Sequence, residues 1–208
     1  MLPARERKKL FLAIFKKAEK KYGPSRKRLA ADSWPQAWQL LVATILSAQS
    51  RDETTIPIAE KLFETYPTLQ KLASASVPEV LSVIQSINYN ATKANHILAA
   101  ARMVLEQFHG TVPQSMDELL RLPGVGRKTA NIIRSEWHQK DAIVVDTHVH
   151  RISNVLGLVQ TKTPEQTEKE LGKIVPKQQW SRVNRLFVLW GKEVPGRDKK
   201  RLLRALED

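Results

Sequence analysis

Apolar residues recur along most of this chain at the three- and four-residue spacing of amphipathic helices. Near the N-terminus one helix face is apolar and lysines cover the other. The stretch from Pro35 to Leu46 is apolar nearly all round, which predicts a central buried helix. The pattern gives about ten helices and no convincing strand pair. We therefore predict an all-α fold.

Capping residues and prolines place several helix boundaries. Asp52 is predicted to cap a helix that runs to Tyr66, and another helix is expected to begin at Pro78. A further helix is expected over Lys128–His138, and Asp146 has the character of an N-cap for the helix that follows it. Thr163 begins a segment with proline at the first helical position and glutamine at the third, which predicts a capping box.

Composition narrows the class of protein. The chain has 208 residues, 42% of them apolar, and a formal net charge of +13 with a pI near 10.1. Such a balance favours an anionic partner, of which nucleic acid is the commonest, although ribosomal and membrane-surface proteins are also basic. The sequence contains no cysteine, which excludes disulfides, thiolate metal sites and iron–sulfur clusters. We expect a monomeric, cytoplasmic protein, nucleoid-associated in a prokaryote and without a membrane span.

The segment Leu122–Ala130 reads LPGVGRKTA and predicts a tight hairpin between two helices. Proline fixes one turn residue, while Gly124 and Gly126 permit positive φ and close approach of the backbone. The N–H groups and the dipole of a helix that starts at Arg127 attract an anion. A DNA phosphodiester fits this hairpin, and a plain helix–helix turn is the alternative interpretation.

Two residues carry candidate chemistry. Lys128 lies one residue into the helix after the hairpin, where its amine is either a nucleophile for Schiff-base chemistry or another phosphate contact. Asp146 lies 18 residues further on, in the sequence VDTH. Its carboxylate either caps a helix only, or also stabilises positive charge that develops on a sugar ring and assists proton transfer.

The hairpin up to Asn131, together with Val145–His148, closely resembles the helix–hairpin–helix DNA glycosylases of the endonuclease III family. The sequence LSAQ at Leu46–Gln49, the Lys93-Ala94 pair and Gly191 match the same family. The resemblance extends over roughly residues 8 to 192.

The resemblance implies a two-domain helical architecture with a central cleft that duplex DNA crosses. Residues 29–140 would form a six-helix domain that contains the helix–hairpin–helix. Residues 1–28 and 141–208 would form a discontinuous second domain. A damaged base would be flipped out of the duplex into the cleft.

The resemblance also implies an activity. In this family the hairpin lysine, here Lys128, attacks C1′ of the deoxyribose, the base leaves, and β-elimination through a Schiff base nicks the strand 3′ to the abasic site. The aspartate, here Asp146, is needed for base release. The expected function is a base excision repair glycosylase and AP lyase that acts on oxidised pyrimidines in duplex DNA containing a damaged base or an abasic site.

The family assigns further residues to DNA contact. Gln49 matches the residue that fills the gap left by the flipped nucleotide, and Tyr89 lies at the position of a second wedge. The remaining predicted DNA-binding residues are Lys93, Gly124, Gly126, Arg127, Thr147 and His148. The carbonyls of Leu122 and Val125 are candidates for a Na⁺ or K⁺ ion, and no other metal site is expected.

Two departures from the family pattern stand out. The four cysteines that usually bind a [4Fe–4S] cluster are absent, so we expect no cluster. Core packing by Trp180, Phe187 and Trp190, together with a basic tail over residues 197–204, is expected to replace it as a scaffold. Asn88 stands where the family commonly has glycine, which alters the loop that carries the Tyr89 wedge.

Alternative functions stay open at this level. One is a glycosylase of the same superfamily for thymine or uracil opposite guanine, and another is a DNA-binding module without catalysis. The adenine-specific branch generally lacks the hairpin lysine, so Lys128 argues against it. His148 and His150 have the spacing of a metal pair, but a phosphate or capping contact is the preferred interpretation of His148.

Overall fold

The computed structural model describes residues 2–207, and over that range every regular element is helical, which confirms the predicted all-α class. None of the helices in this range is long and apolar enough to span a bilayer. The α-helices of the described residues are numbered in chain order. They are α1 (Ala4–Tyr22), α2 (Ala37–Ser47), α3 (Asp52–Thr65), α4 (Leu69–Ser74), α5 (Val77–Ile84), α6 (Asn90–Phe108), α7 (Met116–Arg121), α8 (Arg127–Ile132), α9 (Thr147–Val155), α10 (Pro164–Ile174), α11 (Trp180–Glu193) and α12 (Lys199–Arg204).

The chain divides into two compact units. The middle unit, Arg28–Lys140, contains α2 to α8. The terminal unit combines Met1–Lys27 with Asp141–Asp208 and contains α1 and α9 to α12. Each unit has its own buried apolar residues.

The core of the middle unit is built around α2. Every residue from Trp38 to Leu46 is buried, which confirms the predicted central helix. The indole rings of Trp34 and Trp38 both stand edge-on to Phe63, with ring centroids 5.0 and 5.2 Å away. These edge-to-face contacts join α2 and the segment before it to α3.

Two predicted helix starts in the middle unit are wrong by one residue. Arg51 occupies the N-cap of α3, so Asp52 is the first helical residue, and its Oδ1 accepts a hydrogen bond from the Ala30 N–H at 3.1 Å instead. Helix α5 begins at Val77, because Ser76 and Glu79 form a reciprocal capping box ahead of Pro78. A side-chain capping box therefore sets the start of α5, whereas α3 begins without a side-chain cap.

The terminal unit packs aromatic residues between α1 and α11. The ring centroids of Phe11 and Phe15 in α1 lie 5.4 Å apart. In α11 the rings of Phe187 and Trp190 meet edge-on, with their centroids 5.6 Å apart. Both residues of the second pair are fully buried, as the sequence predicted, whereas Trp180 is half-buried and its Nε1 donates to the Val175 carbonyl at 2.9 Å. Thr163 caps α10 as expected, but the Gln166 side chain accepts from Lys162 N, so no reciprocal box forms.

The basic C-terminal segment is a helix rather than a tail. Asp198 caps α12 by accepting from the backbone N–H groups of its first turn, and Leu202 and Leu206 are buried. The Lys21 ammonium of α1 donates to the Ala205 carbonyl at 2.7 Å. The burial of these leucines attaches the C-terminal segment to the rest of the terminal unit. The basic composition of the segment did not predict this burial.

Candidate active site

The hairpin lies between α7 and α8 in the middle unit. Its turn is closed by a hydrogen bond from Val125 N to the Leu122 carbonyl at 3.0 Å, and both of these side chains are buried. Gly124 has a φ of +79°, and a Cβ there would lie 3.0 Å from the Cβ of His96 and 3.2 Å from Ile45 Cγ2. Both the conformation and the packing of the hairpin therefore require glycine at position 124.

Gly126 differs from Gly124 in conformation and packing, although the sequence analysis gave both glycines the same role. It is the N-cap of α8, it has a φ of −97°, and no described atom lies within 4 Å of a Cβ built on it. The fold itself therefore does not require glycine at position 126. Gly126 is exposed and Arg127 beside it is half-buried, so the backbone at this helix start can be approached closely by a ligand.

Lys128 is the second residue of α8, and its side chain is exposed. The α-helix ends at Ile132, and Ile133–Trp137 form a π-helical turn closed by His138 N donating to the Ile133 carbonyl at 3.2 Å. The regular helix predicted to His138 is wrong in this last part. The buried face of α8 fixes the position of the helix, and Lys128 lies in its first turn.

Asp146 lies in the terminal unit, at the end of a buried extended segment and at the start of α9. Its Oδ1 accepts from Val149 N at 2.8 Å, which confirms the predicted N-cap. Thr147 beside it is exposed. The cap holds one carboxylate oxygen, Oδ1, at the start of α9.

Arg151, one turn further along α9, holds the segment that follows α11. Its guanidinium donates to the carbonyls of Gly191 at 3.1 Å and Val194 at 3.2 Å, and also to the carbonyl of Gly196. Burial lowers the pKa of Arg151, and the nearby Asp146 carboxylate acts against that shift. The helix that presents Asp146 is thus tied by a cation to the end of α11.

His148 packs against a helical position that has no side chain. A Cβ on Gly191 would lie 2.3 Å from His148 Nδ1 and 2.9 Å from His148 Cβ. The absence of that Cβ lets α9 approach α11 closely. No three His, Cys, Asp or Glu side chains between residues 2 and 207 come together as metal ligands. His150 Nδ1 instead contacts Thr167 Oγ1 at 2.6 Å.

Gln49 and Tyr89 lie on neighbouring loops of the middle unit. Both side chains are exposed, and both residues have left-handed backbone conformations with φ of 53° and 57°. The Asn88 side chain donates to the Gln49 carbonyl at 2.8 Å. Asn88 was noted in the sequence as a departure from the glycine that is common in the family. Its hydrogen-bond partner lies 39 residues away in the chain, so the contact could not be predicted from the sequence.

Lys93 is buried, so its geometry does not fit the direct DNA contact that the sequence predicted. Its Nζ donates to the carbonyls of Leu46 at 2.8 Å and Ala48 at 2.6 Å, and to Ser50 Oγ at 3.0 Å. Burial lowers its pKa from 10.5 to about 8. Lys93 holds the end of α2 and the loop that carries Gln49.

Comparison with known proteins gives a family. Residues 42–177 match the HhH-GPD superfamily of base excision DNA repair proteins. The chain is 45% identical over 157 residues to endonuclease III of Thermotoga maritima, an alignment that covers 76% of this chain and 74% of that protein. It is 41% identical to endonuclease III of Synechocystis, over 75% of this chain and 72% of the relative.

The chain belongs to the endonuclease III family of this superfamily. It is therefore a base excision repair DNA glycosylase with AP lyase activity. A solved trapped endonuclease III–DNA covalent intermediate superposes with a TM-score of 0.84 at 33% identity, over 93% of this chain and 88% of that one. A thermostable thymine-DNA glycosylase, at 19% identity and a TM-score of 0.78, shares the fold.

Gly191→Ala tests the contact between α9 and α11. We expect the variant to lose about 1–3 kcal/mol of unfolding free energy, because the new methyl group overlaps His148. The overlap includes the Cβ of His148, close to its backbone. Gly172→Ala is the matched control. It also lies inside a helix, but its added Cβ is 3.9 Å from the nearest atom, so about 0.5–1 kcal/mol of stabilisation is expected. Urea unfolding measures both, and equal shifts would contradict the overlap.

Lys93→Met tests the buried ammonium. The variant keeps an apolar stem but leaves two carbonyls unpaired, which should cost about 1–3 kcal/mol. Between pH 8 and 10.5 the unfolded chain carries the Lys93 proton and the folded chain does not, so rising pH favours folding of the wild type. The destabilisation measured at pH 10 should therefore exceed that at pH 7. Exposed Lys61→Met should give a pH-independent difference, and the same behaviour for Lys93→Met would contradict the assignment.

Proposed function

We propose that this DNA glycosylase and AP lyase removes oxidised pyrimidines from duplex DNA and uses Lys128 as its nucleophile. The observation that carries the proposal is the exposed amine of Lys128 in the first turn of the helix after the glycine hairpin. It is supported by the identity of 45% to an endonuclease III over most of both chains.

The chemistry follows from the amine. The lone pair of Lys128 Nζ attacks C1′ of the deoxyribose, and the C1′–N bond breaks with its electron pair leaving on the base. Loss of the amine proton and opening of the sugar give a Schiff base. Removal of a C2′ proton then expels the 3′ phosphate by β-elimination, and water releases the lysine. No metal or redox group is needed to balance these steps.

Asp146 is proposed to assist base release. Its Oδ1 is engaged by the helix cap, which fixes the direction of the carboxylate. A fixed negative charge stabilises the positive charge that develops on the sugar as the base departs. Thr147 and His148 follow in the same first turn and are proposed as neighbouring DNA contacts.

The hairpin is proposed to hold a phosphate. The first turn of α8, which begins at Arg127, and the open face of Gly126 admit a DNA backbone, while Gly124 is needed to fold the turn. The Leu122 carbonyl accepts one hydrogen bond from Val125 N and retains a second lone pair. That carbonyl and the carbonyl of Val125 would supply oxygen ligands to Na⁺ or K⁺.

An iron–sulfur cluster does not fit this chain. Such clusters are held by cysteine thiolates, and the sequence contains none. In the corresponding region, the Arg151 guanidinium donates to the carbonyls of Gly191, Val194 and Gly196. Leu202 of α12 and Leu206 just after it are buried. We propose that these contacts hold the C-terminal region.

The positive charge is unevenly distributed between the two units. The terminal unit carries 23 of the 34 lysines and arginines but only 11 of the 21 acidic residues, so nearly all of the net charge of +13 belongs to it. Within α12, Lys199, Lys200, Arg201 and Arg204 are exposed. We propose that α12 contacts DNA phosphates without reading sequence.

Reductive trapping with borohydride tests whether Lys128 is the nucleophile that forms the Schiff base. Duplexes that contain thymine glycol, an abasic site or a G·T mismatch are incubated with the protein and borohydride. The wild type should form a covalent adduct with the first two, and Lys128→Ala and Lys128→Arg should form none. The arginine variant keeps the positive charge, so it separates the nucleophile from a simple phosphate contact. Exposed Lys140→Ala is the control and should trap normally. An adduct that persists in both Lys128 variants would overturn the assignment.

Asp146→Asn removes the charge but keeps an equally good N-cap. We expect base release to fall by at least about 100-fold, with abasic-site binding unchanged. Asp141→Asn, which neutralises an exposed carboxylate paired with Lys177 at 3.2 Å, is the control. Retained base release in Asp146→Asn would leave the residue with a capping role only.

Salt dependence tests α12. The double variant Lys199→Gln/Lys200→Gln should bind undamaged duplex more weakly, and the slope of log K against log salt should become shallower by about 0.9 for each phosphate that is no longer neutralised. Lys61→Gln/Lys71→Gln removes the same charge from the exposed surface of the middle unit and is the control. Identical slopes for the two double variants would rule out a contact by α12.

A further inference from the structure

Two loops of the middle unit present exposed residues in a strained conformation. Gln49 lies between α2 and α3, and Tyr89 immediately precedes α6. Each residue carries a Cβ yet adopts the left-handed region, which is disfavoured for residues other than glycine. Such conformations persist only where the surrounding structure fixes them, and they concentrate at functional sites.

Side chains from the second loop and from the start of α6 bond to the first loop on both sides of Gln49. Asn88 Nδ2 donates to the carbonyl of Gln49 itself at 2.8 Å. The Lys93 ammonium donates to the carbonyls of Leu46 and Ala48 and to the hydroxyl of Ser50. Four residues at the end of α2 and in the first loop are thus bonded to side chains from the second loop and the start of α6.

The same contacts restrain Tyr89. It directly follows Asn88, whose amide is committed to the first loop, and its carbonyl accepts from Lys93 N at 3.0 Å as α6 begins. The two exposed side chains are therefore presented by one cross-linked backbone frame. Neither Asn88 nor Lys93 needs to contact DNA for this effect.

We propose that Asn88 and Lys93 form a clamp that fixes Gln49 and Tyr89 relative to each other before DNA binds, and that Asn88 is a positioning residue for base extrusion. The proposal rests on the proposed function for its substrate. Extruding a base costs unpairing and unstacking, and a frame ordered in advance does not have to be ordered at that moment.

The first experiment measures loop order without catalysis. Asn88→Asp replaces the amide donor by a carboxylate that cannot donate to the Gln49 carbonyl. Asn90→Asp is the matched control, because Asn90 Nδ2 donates at 2.7 Å to the Gln85 carbonyl, five residues earlier in the chain, and forms no link to the loop that carries Gln49. We expect amide hydrogen exchange over residues 48–51 to become about tenfold faster in Asn88→Asp and to stay unchanged in Asn90→Asp. Unchanged exchange in Asn88→Asp would overturn the clamp.

The second experiment measures the consequence for the reaction. Thymine glycol is placed either in a fully paired duplex or in a bubble of three mismatches, where extrusion is cheap. For Asn88→Asp, kcat/KM on the paired substrate should fall about tenfold, with less than about a twofold change on the bubble. Asn90→Asp should leave the ratio of the two values at that of the wild type. Equal losses on both substrates would show that Asn88 does not act on extrusion.

The two readouts separate the proposals. Inactivity of the wild type on every lesion would refute the proposed function while the exchange measurement still decided whether the clamp exists. Faster exchange with an unaltered ratio would retain the cross-link and overturn its role in extrusion.

Discussion

Helix ends leave backbone N–H and carbonyl groups without intrahelical partners, and the arrangement of this protein depends on how those groups are satisfied. The Asp146 carboxylate closes the start of α9, and the Lys93 ammonium closes the end of α2. The Arg151 guanidinium collects the carbonyls that follow α11. The start of α8 differs from these three ends, because its N-cap is a glycine that has no side chain to bond there. That helix start is the one beside Lys128.

The need to pair backbone carbonyls also explains why the lysines and arginines of this chain include both exposed and buried cations. Exposed cations such as Lys128 and Lys199 are available to an external anion. Buried cations such as Lys93 and Arg7 donate to carbonyls within the fold, and Arg7 donates to the Leu158 carbonyl at 3.1 Å. Net charge alone does not distinguish the kinds. A carbonyl cluster at a helix end offers a cation a ready partner, and burial follows from that pairing.

In the C-terminal region, a side chain of α9 holds the loop that follows α11. A planar guanidinium offers several donors in fixed directions, which suits it to gather carbonyls from a short loop. Arg151 does this from α9, and the apolar side of α12 adds buried leucines. The Arg151 contacts tie α9, the helix that carries Asp146, to the end of α11 and to the loop that follows it.

The helical class, the hairpin, the N-cap at Asp146 and the family can all be inferred from the sequence, because each depends on local spacing or on a contiguous motif. The burial of Lys93, the bond from Asn88 to Gln49 and the lack of room for a side chain at position 191 become visible only in the folded chain. These facts pair residues far apart in the chain, and Asn88 and Gln49 are separated by 39 positions. The two hairpin glycines look equivalent in sequence, yet packing against His96 and Ile45 requires only Gly124. Local pattern fixes which elements form, whereas hydrogen bonds and contacts between distant elements fix what each side chain is left free to do.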